Sequence, residues 1–198
     1  MSDLATSRGV RGAIVVDGEA IRRMVSRIAH EIAERNPDPA AVALVGIQTR
    51  GVPLAQRLRR TLAERNGVEP ACGALDITFY RDDVHVSGGA APRRAQPLVR
   101  ATRLEFALEG RTCVLVDDVL YTGRTIRAAI DALFAHGRPA RVQLAALVDR
   151  GHRELPIRPD YVGKNLPTAR GERVDVELVE VDEVDRVVLV PRAGEERA

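Results

Sequence analysis

The chain has no tryptophan, three tyrosines and three phenylalanines among 198 residues. That poverty argues against an aromatic platform on which nucleic-acid bases would stack in succession. Two cysteines, Cys72 and Cys113, are too few for a disulfide framework or a four-ligand zinc site. Both lie in apolar, strand-like stretches and read as small core residues of a reducing compartment. No apolar run approaches the ~18 residues of a membrane span. Residues 1–10 lack the apolar stretch of a signal peptide, so the expected location is the cytoplasm. Charge is nearly balanced, with 30 basic and 28 acidic side chains and a net charge of +2. A uniformly basic nucleic-acid binder is thereby excluded, although local patches are not. The 45% hydrophobic content rules out wholesale disorder.

What remains is one domain's worth of chain whose apolar pattern alternates between two periods. Residues 13–16 read as a short strand. Asp17 is a plausible N-cap for a helix carrying Ile21, Met24, Val25, Ile28, Ala29 and Ile32. That helix should stop at Asn36-Pro37. Residues 41–47 form a continuous apolar run, the mark of a strand buried on both faces. A polar turn, 48–51, leads into a helix over 52–65. Strands are expected over 71–79, 112–116, 141–148, 174–179 and 187–190, with a further helix over 126–136. Residues 80–103 carry Gly88-Gly89, Pro92, Pro97 and several arginines with little periodicity. So long an excursion reads as a mobile lid. Residues 149–180 are marked by proline and glycine, and the tails, 1–11 and 193–198, should fray. The expected fold is α/β, with a central, mainly parallel sheet flanked by helices over 12–192. In such sheets ligands bind beyond the carboxyl ends of the strands. The polar turns at 48–51 and 117–125 both follow strand ends and should lie close together.

The second turn carries the chemistry. In Val114-Leu115-Val116-Asp117-Asp118-Val119-Leu120-Tyr121-Thr122-Gly123-Arg124-Thr125 a buried strand delivers two adjacent carboxylates. Successive strand side chains diverge, so the two acids need not point the same way. A short loop with two hydroxyls and a glycine follows, and then a helix whose free N–H groups and dipole face the loop. That is an anion cradle beside a pair of acceptors for sugar hydroxyls, and the expected ligand is a ribose 5-phosphate moiety. The glycine and lysine spacing of a Walker A loop is absent.

The same segment resembles the PRPP-binding motif of the type I phosphoribosyltransferases. The resemblance implies that Asp117 and Asp118 take the ribose hydroxyls and that Val119, Leu120, Tyr121, Thr122, Gly123, Arg124 and Thr125 hold the 5′-phosphate. Several other stretches resemble one subfamily, the bifunctional pyrimidine operon regulators with uracil phosphoribosyltransferase activity. They are Leu44-Val45-Gly46-Ile47-Gln48-Thr49-Arg50-Gly51, Asp76-Ile77-Thr78-Phe79-Tyr80-Arg81-Asp82-Asp83, Leu147-Val148-Asp149-Arg150-Gly151-His152-Arg153 and Tyr161-Val162-Gly163-Lys164-Asn165. The likeness runs over residues 13–190.

It implies conversion of uracil and PRPP to UMP and diphosphate, with Mg²⁺ held mainly through PRPP near Asp117 and Asp118. Thr49, Arg50 and Gly51 match the pyrophosphate loop, which in this superfamily often holds a strained peptide. Residues 149–180 match a small hood over the base, with Arg150 a substrate contact. Arg81, Arg100 and the backbone near Val174 are further candidate contacts. His152 is open to a structural or a proton-transfer reading. The resemblance also implies binding to the leader of the pyrimidine operon mRNA under control of UMP and UTP. Ser26, Arg27 and His30 on the first helix, with Arg153, Arg158 and Lys164, match the RNA-facing positions. A polar stripe on a helix is equally an ordinary solvated face. A homodimer or larger homo-oligomer is implied, with no DNA or membrane partner. The alternative is a phosphoribosyltransferase for another nucleobase with no RNA role.

Overall fold

A computed structural model describes residues 12–80 and 101–191. Strand β1, Ala13–Asp17, runs into helix α1, Gly18–Arg35. The Asp17 carboxylate accepts from the Ala20 N–H at 2.7 Å and satisfies one donor of the first turn. Asn36 ends the helix from inside the protein. Its amide donates to Ile32 O, to Gln143 Oε1 and to the Tyr161 hydroxyl at 2.9, 3.1 and 3.2 Å. This buried polar knot fixes the end of α1 against the sheet.

Strand β2, Val42–Ile47, is followed by α2, Gly51–Asn66, and β3, Ala71–Leu75. After the excursion come β4, Thr112–Leu120, α3, Arg124–His136, and β5, Arg141–Asp149. Strand β6, Tyr161–Asn165, then β7, Arg173–Glu177, a single turn of helix α4, Val179–Asp182, and β8, Arg186–Val190, complete the order. Five strands form a parallel sheet in the order β3-β2-β4-β5-β6, and β1-β8-β7 form an antiparallel one.

Strand alternation divides the core between two faces. Leu44, Val114, Val116, Ala145 and Leu147 pack under α1 and α2, together with Val16, Val174, Val176 and Val187 of the small sheet. Ala43, Val45, Leu115, Leu144 and Ala146 pack under α3 with Leu108. Helix α2 carries the chain from β2 outward to β3, whereas α3 carries it from β4 to β5 in the opposite direction. The loops after β2 and β4 therefore part at adjacent strands. That is the topological switch point, where a parallel sheet opens a crevice.

The expected central sheet is present, with several differences of detail. Strand β3 stops at Leu75, because the Asp76 carboxylate accepts from both the N–H and the hydroxyl of Thr78, at 2.8 and 2.5 Å, and turns the chain. Strand β4 runs through the acid pair to Leu120. The proline-marked segment contains a strand, β6, whose Lys164 and Asn165 are exposed at the sheet's edge. The small sheet draws on both halves of the sequence, since Ala13 lies opposite Leu189. The hood expected over 149–180 is thus built partly from residues 13–17. Most of the expected lid, residues 81–100 with Arg81 and Arg100, lies outside the described residues, as do the tails. On the lid's return limb, Arg103 exchanges two backbone hydrogen bonds with Ala74, at 2.9 and 2.8 Å.

Candidate active site

The two acids stand at the C-terminal end of β4, still within the strand. Asp117 is buried, with 6% of its surface exposed, while Asp118 is half-buried, so the alternation sends them to different surroundings. Asp117 Oδ1 accepts from the Asp118 N–H at 3.0 Å, and Asp118 Oδ1 from the Val119 N–H at 2.9 Å. These bonds fix both carboxylates against the backbone.

The loop Tyr121–Gly123 follows. Gly123 adopts φ 94°, a left-handed conformation that glycine enters without steric cost, and it is the N-cap of α3. No side chain caps this helix there. The hydroxyl of Thr122 only approaches the Arg124 N–H, at 3.4 Å. The helix therefore opens toward the crevice with its dipole available to an anion. From above, Thr122 O accepts from the N–H groups of Glu154 and Leu155 at 3.0 and 3.1 Å. Arg124 Nε donates to Glu154 at 2.8 Å. Thr125 is half-buried on the first turn.

Tyr121 joins this loop to the hood. The Arg150 guanidinium lies 4.1 Å from its ring centroid, and the His152 ring meets it edge-on at 6.0 Å. Arg150 is buried, and its Nε and Nη2 donate to Thr168 Oγ1, Ala169 O and Glu172 O at 3.1, 3.1 and 2.8 Å. The substrate contact expected of Arg150 is left to Nη1, and the rest of the group braces the hood. His152 Nε2 lies 2.6 Å from Thr168 O, which ties it to the same brace. Val174 is buried in β7, so only its backbone is placed to meet a ligand.

Across the switch point, the turn 48–51 leaves β2. Gln48 N–H donates to Leu75 O at 3.0 Å, and the Gln48–Thr49 peptide bond is cis. Thr49 and Arg50 are half-buried. Gly51 opens α2, where a β-carbon would stand 2.2 Å from Val116 O. Only glycine allows the turn at 48–51 to lie this close to the strand that carries the acids.

Arg50 grips Asp182 of α4 with Nε and Nη2, at 2.9 and 2.7 Å. That hydrogen bond, against a smaller burial effect and helped by the charges of Asp182, Asp118 and Asp175, raises the Arg50 pKa further. Two turns along α2, Arg57 holds Glu180 and Asp185 together, with four contacts of 2.5 to 2.9 Å. Sequence reasoning missed Asp182 because it lies in a valine-and-acid run that resembles a solvated turn.

The first-helix stripe is exposed at Ser26, Arg27 and His30. Arg27 bonds Glu31 at 3.1 Å and reaches across to the carbonyl of Gly163. His30 Nε2 lies 3.1 Å from Glu34. Arg27 thus touches β6 at the residue before exposed Lys164. Arg158 is also exposed. Arg153 departs from the expected RNA-facing role. It donates to Ile157 O, Tyr121 O and Asp149 at 2.9, 2.8 and 2.5 Å, and so locks the hood to the phosphate loop.

Among the described residues no group of three or more His, Cys, Asp or Glu side chains is arranged to hold a metal. The two carboxylates of β4 offer hard oxygen donors of the kind Mg²⁺ accepts alongside substrate oxygens. Nor is any helix of the described residues long and apolar enough to cross a membrane.

A family model described as a phosphoribosyl transferase domain matches residues 14–181. The chain is 59% identical over 177 residues to the "Bifunctional protein PyrR" of Roseiflexus sp. (strain RS-1), covering 89% of this chain and 93% of that protein. It is 56% identical over 182 residues to a protein of the same name from Thermus thermophilus, covering 92% and 97%. In fold it is similar to the hypoxanthine phosphoribosyltransferase of Trypanosoma cruzi, with TM-score 0.66 at 21% identity over 90% of this chain and 96% of that one. A hypoxanthine phosphoribosyltransferase from Staphylococcus aureus gives TM-score 0.64 at 15% identity, over 89% and 90%.

Proposed function

Because this chain belongs to the bifunctional PyrR family of phosphoribosyl transferase domains, we propose that it is a uracil phosphoribosyltransferase and a regulator that binds the leader of the pyrimidine operon mRNA in response to uridine nucleotides. The single observation that carries the enzymatic half is the constellation at the switch point. Two backbone-anchored carboxylates end β4, the left-handed Gly123 opens an uncapped helix, and the Thr49-Arg50-Gly51 turn lies against the same strand.

Asp117 and Asp118 accept from the ribose 2′- and 3′-hydroxyls and hold the sugar. The loop from Val119 to Thr125 takes the 5′-phosphate through backbone N–H groups, the hydroxyls of Thr122 and Thr125 and the positive end of α3. Thr49, Arg50 and Gly51 meet the diphosphate. The ring nitrogen of uracil bonds to the anomeric carbon as the C–O bond to diphosphate breaks, and the ring proton passes to the released diphosphate or to water. The chain forms no covalent bond. It aligns the two reactants, excludes water beneath the hood and stabilises the charge developing on the leaving group. Phosphoribosyltransferases generally use Mg²⁺ with PRPP. Bound through PRPP beside the acids, the ion would neutralise charge on the leaving diphosphate.

Diphosphate release from PRPP and Mg²⁺ tests this reading, with uracil compared against hypoxanthine, guanine, adenine and orotate. Turnover with uracil alone is expected. The double change Asp117→Asn, Asp118→Asn should lower it by about 10³-fold or more. Turnover with a purine instead would establish the other-nucleobase alternative. No turnover with any base would remove the enzymatic half.

The regulatory half is supported by the exposed stripe of Ser26, Arg27 and His30 on α1, whose polar and basic groups suit phosphate and 2′-OH contacts. Substituting Ser26, Arg27 and His30 together should abolish leader-RNA binding and spare turnover. Equal loss of both would point to a damaged fold. A homodimer or larger homo-oligomer would present this surface more than once.

A further inference from the structure

We propose that Asp182 is a positioning residue for the transfer reaction, and that it sets which edge of the Arg50 guanidinium meets the leaving diphosphate. The inference rests on the reading of residues 49–51 as the pyrophosphate loop.

A guanidinium is planar, so fixing one edge fixes the direction of the others. Asp182 takes the side-on edge of Arg50, through Nε and Nη2. Among the described residues no partner meets Nη1, so the end-on edge retains its donors for a second anion. The Arg50 side chain keeps 33% of its surface exposed, whereas that of Asp182 keeps 19%. The carboxylate is thus the more deeply held partner.

Asp182 is itself anchored. Its Oδ2 accepts from the Leu178 N–H at 2.9 Å, across the turn of α4. That turn is clamped from both sides, since Arg57 holds Glu180 before it and Asp185 after it. Burial would raise the Asp182 carboxyl. The Arg50 hydrogen bond, the Leu178 N–H and the Arg50 charge outweigh it and hold the group below its ordinary value, as a carboxylate. The charge of Asp118 also reaches Arg50. A diphosphate arriving there meets a fork already aimed. Without Asp182 the long side chain would have to be ordered at the moment of binding.

The test uses the full chain and four variants: Asp182→Asn, Arg50→Ala, their combination, and Arg50→Lys. Three quantities are measured: kcat, the KM values for PRPP and uracil, and calorimetric binding of inorganic diphosphate with Mg²⁺. Asp182→Asn keeps an acceptor for the Leu178 N–H. It should raise the KM for PRPP and the Kd for diphosphate about tenfold, leaving the KM for uracil within about twofold. Arg50→Ala should do at least as much, and the combined variant should be no worse than Arg50→Ala alone. Arg50→Lys keeps the charge and loses the fork, so it should reproduce the Asp182→Asn loss even if that variant folds poorly.

Unchanged or tighter diphosphate binding in Asp182→Asn, with Arg50→Ala impaired, would overturn the proposal. So would a parallel rise in both KM values with a lowered melting temperature, since that is the mark of a structural role. Additive losses in the combined variant would overturn it too. If Arg50→Ala itself binds diphosphate normally, it is the pyrophosphate-loop reading that falls.

Discussion

The start of α2 and a point two turns further along it each present an arginine to the same acidic turn, and the two arginines are used differently. The Arg57 side chain is only 10% exposed, and its Nε, Nη1 and Nη2 are all taken by Glu180 and Asp185. Arg50 is half-buried and engages one carboxylate, and among the described residues its Nη1 has no protein partner. The saturated arginine is a fastener, whereas the unsaturated one is, on the proposed reading, a ligand donor held in place. An arginine's role is therefore read from how many of its donors the fold consumes, and from where the remainder point. Arg150, with Nε and Nη2 taken, and Arg153, with all three nitrogens taken, fall near the saturated extreme.

The comparison makes three predictions of decreasing size. Arg57→Ala should destabilise the protein most, because it strands Glu180 and Asp185 together without a counter-charge. A loss of about 3 kcal/mol is expected from the removal of one partner of a partly buried pair. Thermal unfolding should register it as a fall of about 10 °C. Arg50→Ala should cost less than about 1 kcal/mol in the same melts, because its pair is more exposed. Its effect should appear in the KM for PRPP instead. If Arg50→Ala proves the more destabilising of the two, the contrast is broken.

The smallest effect is on pH. Arg57 hydrogen bonds hold Glu180 below its ordinary value; burial would raise Asp185, but the Arg57 hydrogen bond, the Val179 N–H and the charges of Arg57 and Arg22 together outweigh it. A depressed carboxyl pKa means that the folded state releases its proton more readily than the unfolded chain. The stability it contributes is full above the ordinary carboxyl range and is lost as pH falls through the depressed values. Urea unfolding midpoints should therefore hold level from neutrality down to that range and then decline. In Arg57→Ala that decline should be smaller or reversed, because protonation relieves the two carboxylates left without their counter-charge.

The central sheet and the strand-to-helix turn at 117–125 were legible because their signals are local. The apolar run into Asp117-Asp118, the loop to Thr125 and the α3 periodicity sit within one strand-to-helix unit, where residue order dictates geometry. Less legible were features that depend on partners far along the chain. Strand β6 is half polar because it borders the sheet, so its apolar signal is thin. The end of β3 is set by a single side chain, Asp76, capturing Thr78. Asp182 acquires its role only through Arg50, 132 residues away. Arg153 belongs to a basic stretch, yet it points inward because the carbonyl of Tyr121 and the carboxylate of Asp149 wait there.

The pairing of β1 with β8 has a consequence for how the protein comes into being. The parallel sheet closes once β6 has emerged from the ribosome, whereas β1 must then still wait for its neighbour. The acidic turn that aims Arg50 lies immediately before that neighbour. Polypeptide synthesis therefore delivers the phosphate cradle first and the aimed arginine last. A nascent chain stalled before β7 would carry the ribose acids and the cradle but no means of directing Arg50. Such links between distant segments are slow to form.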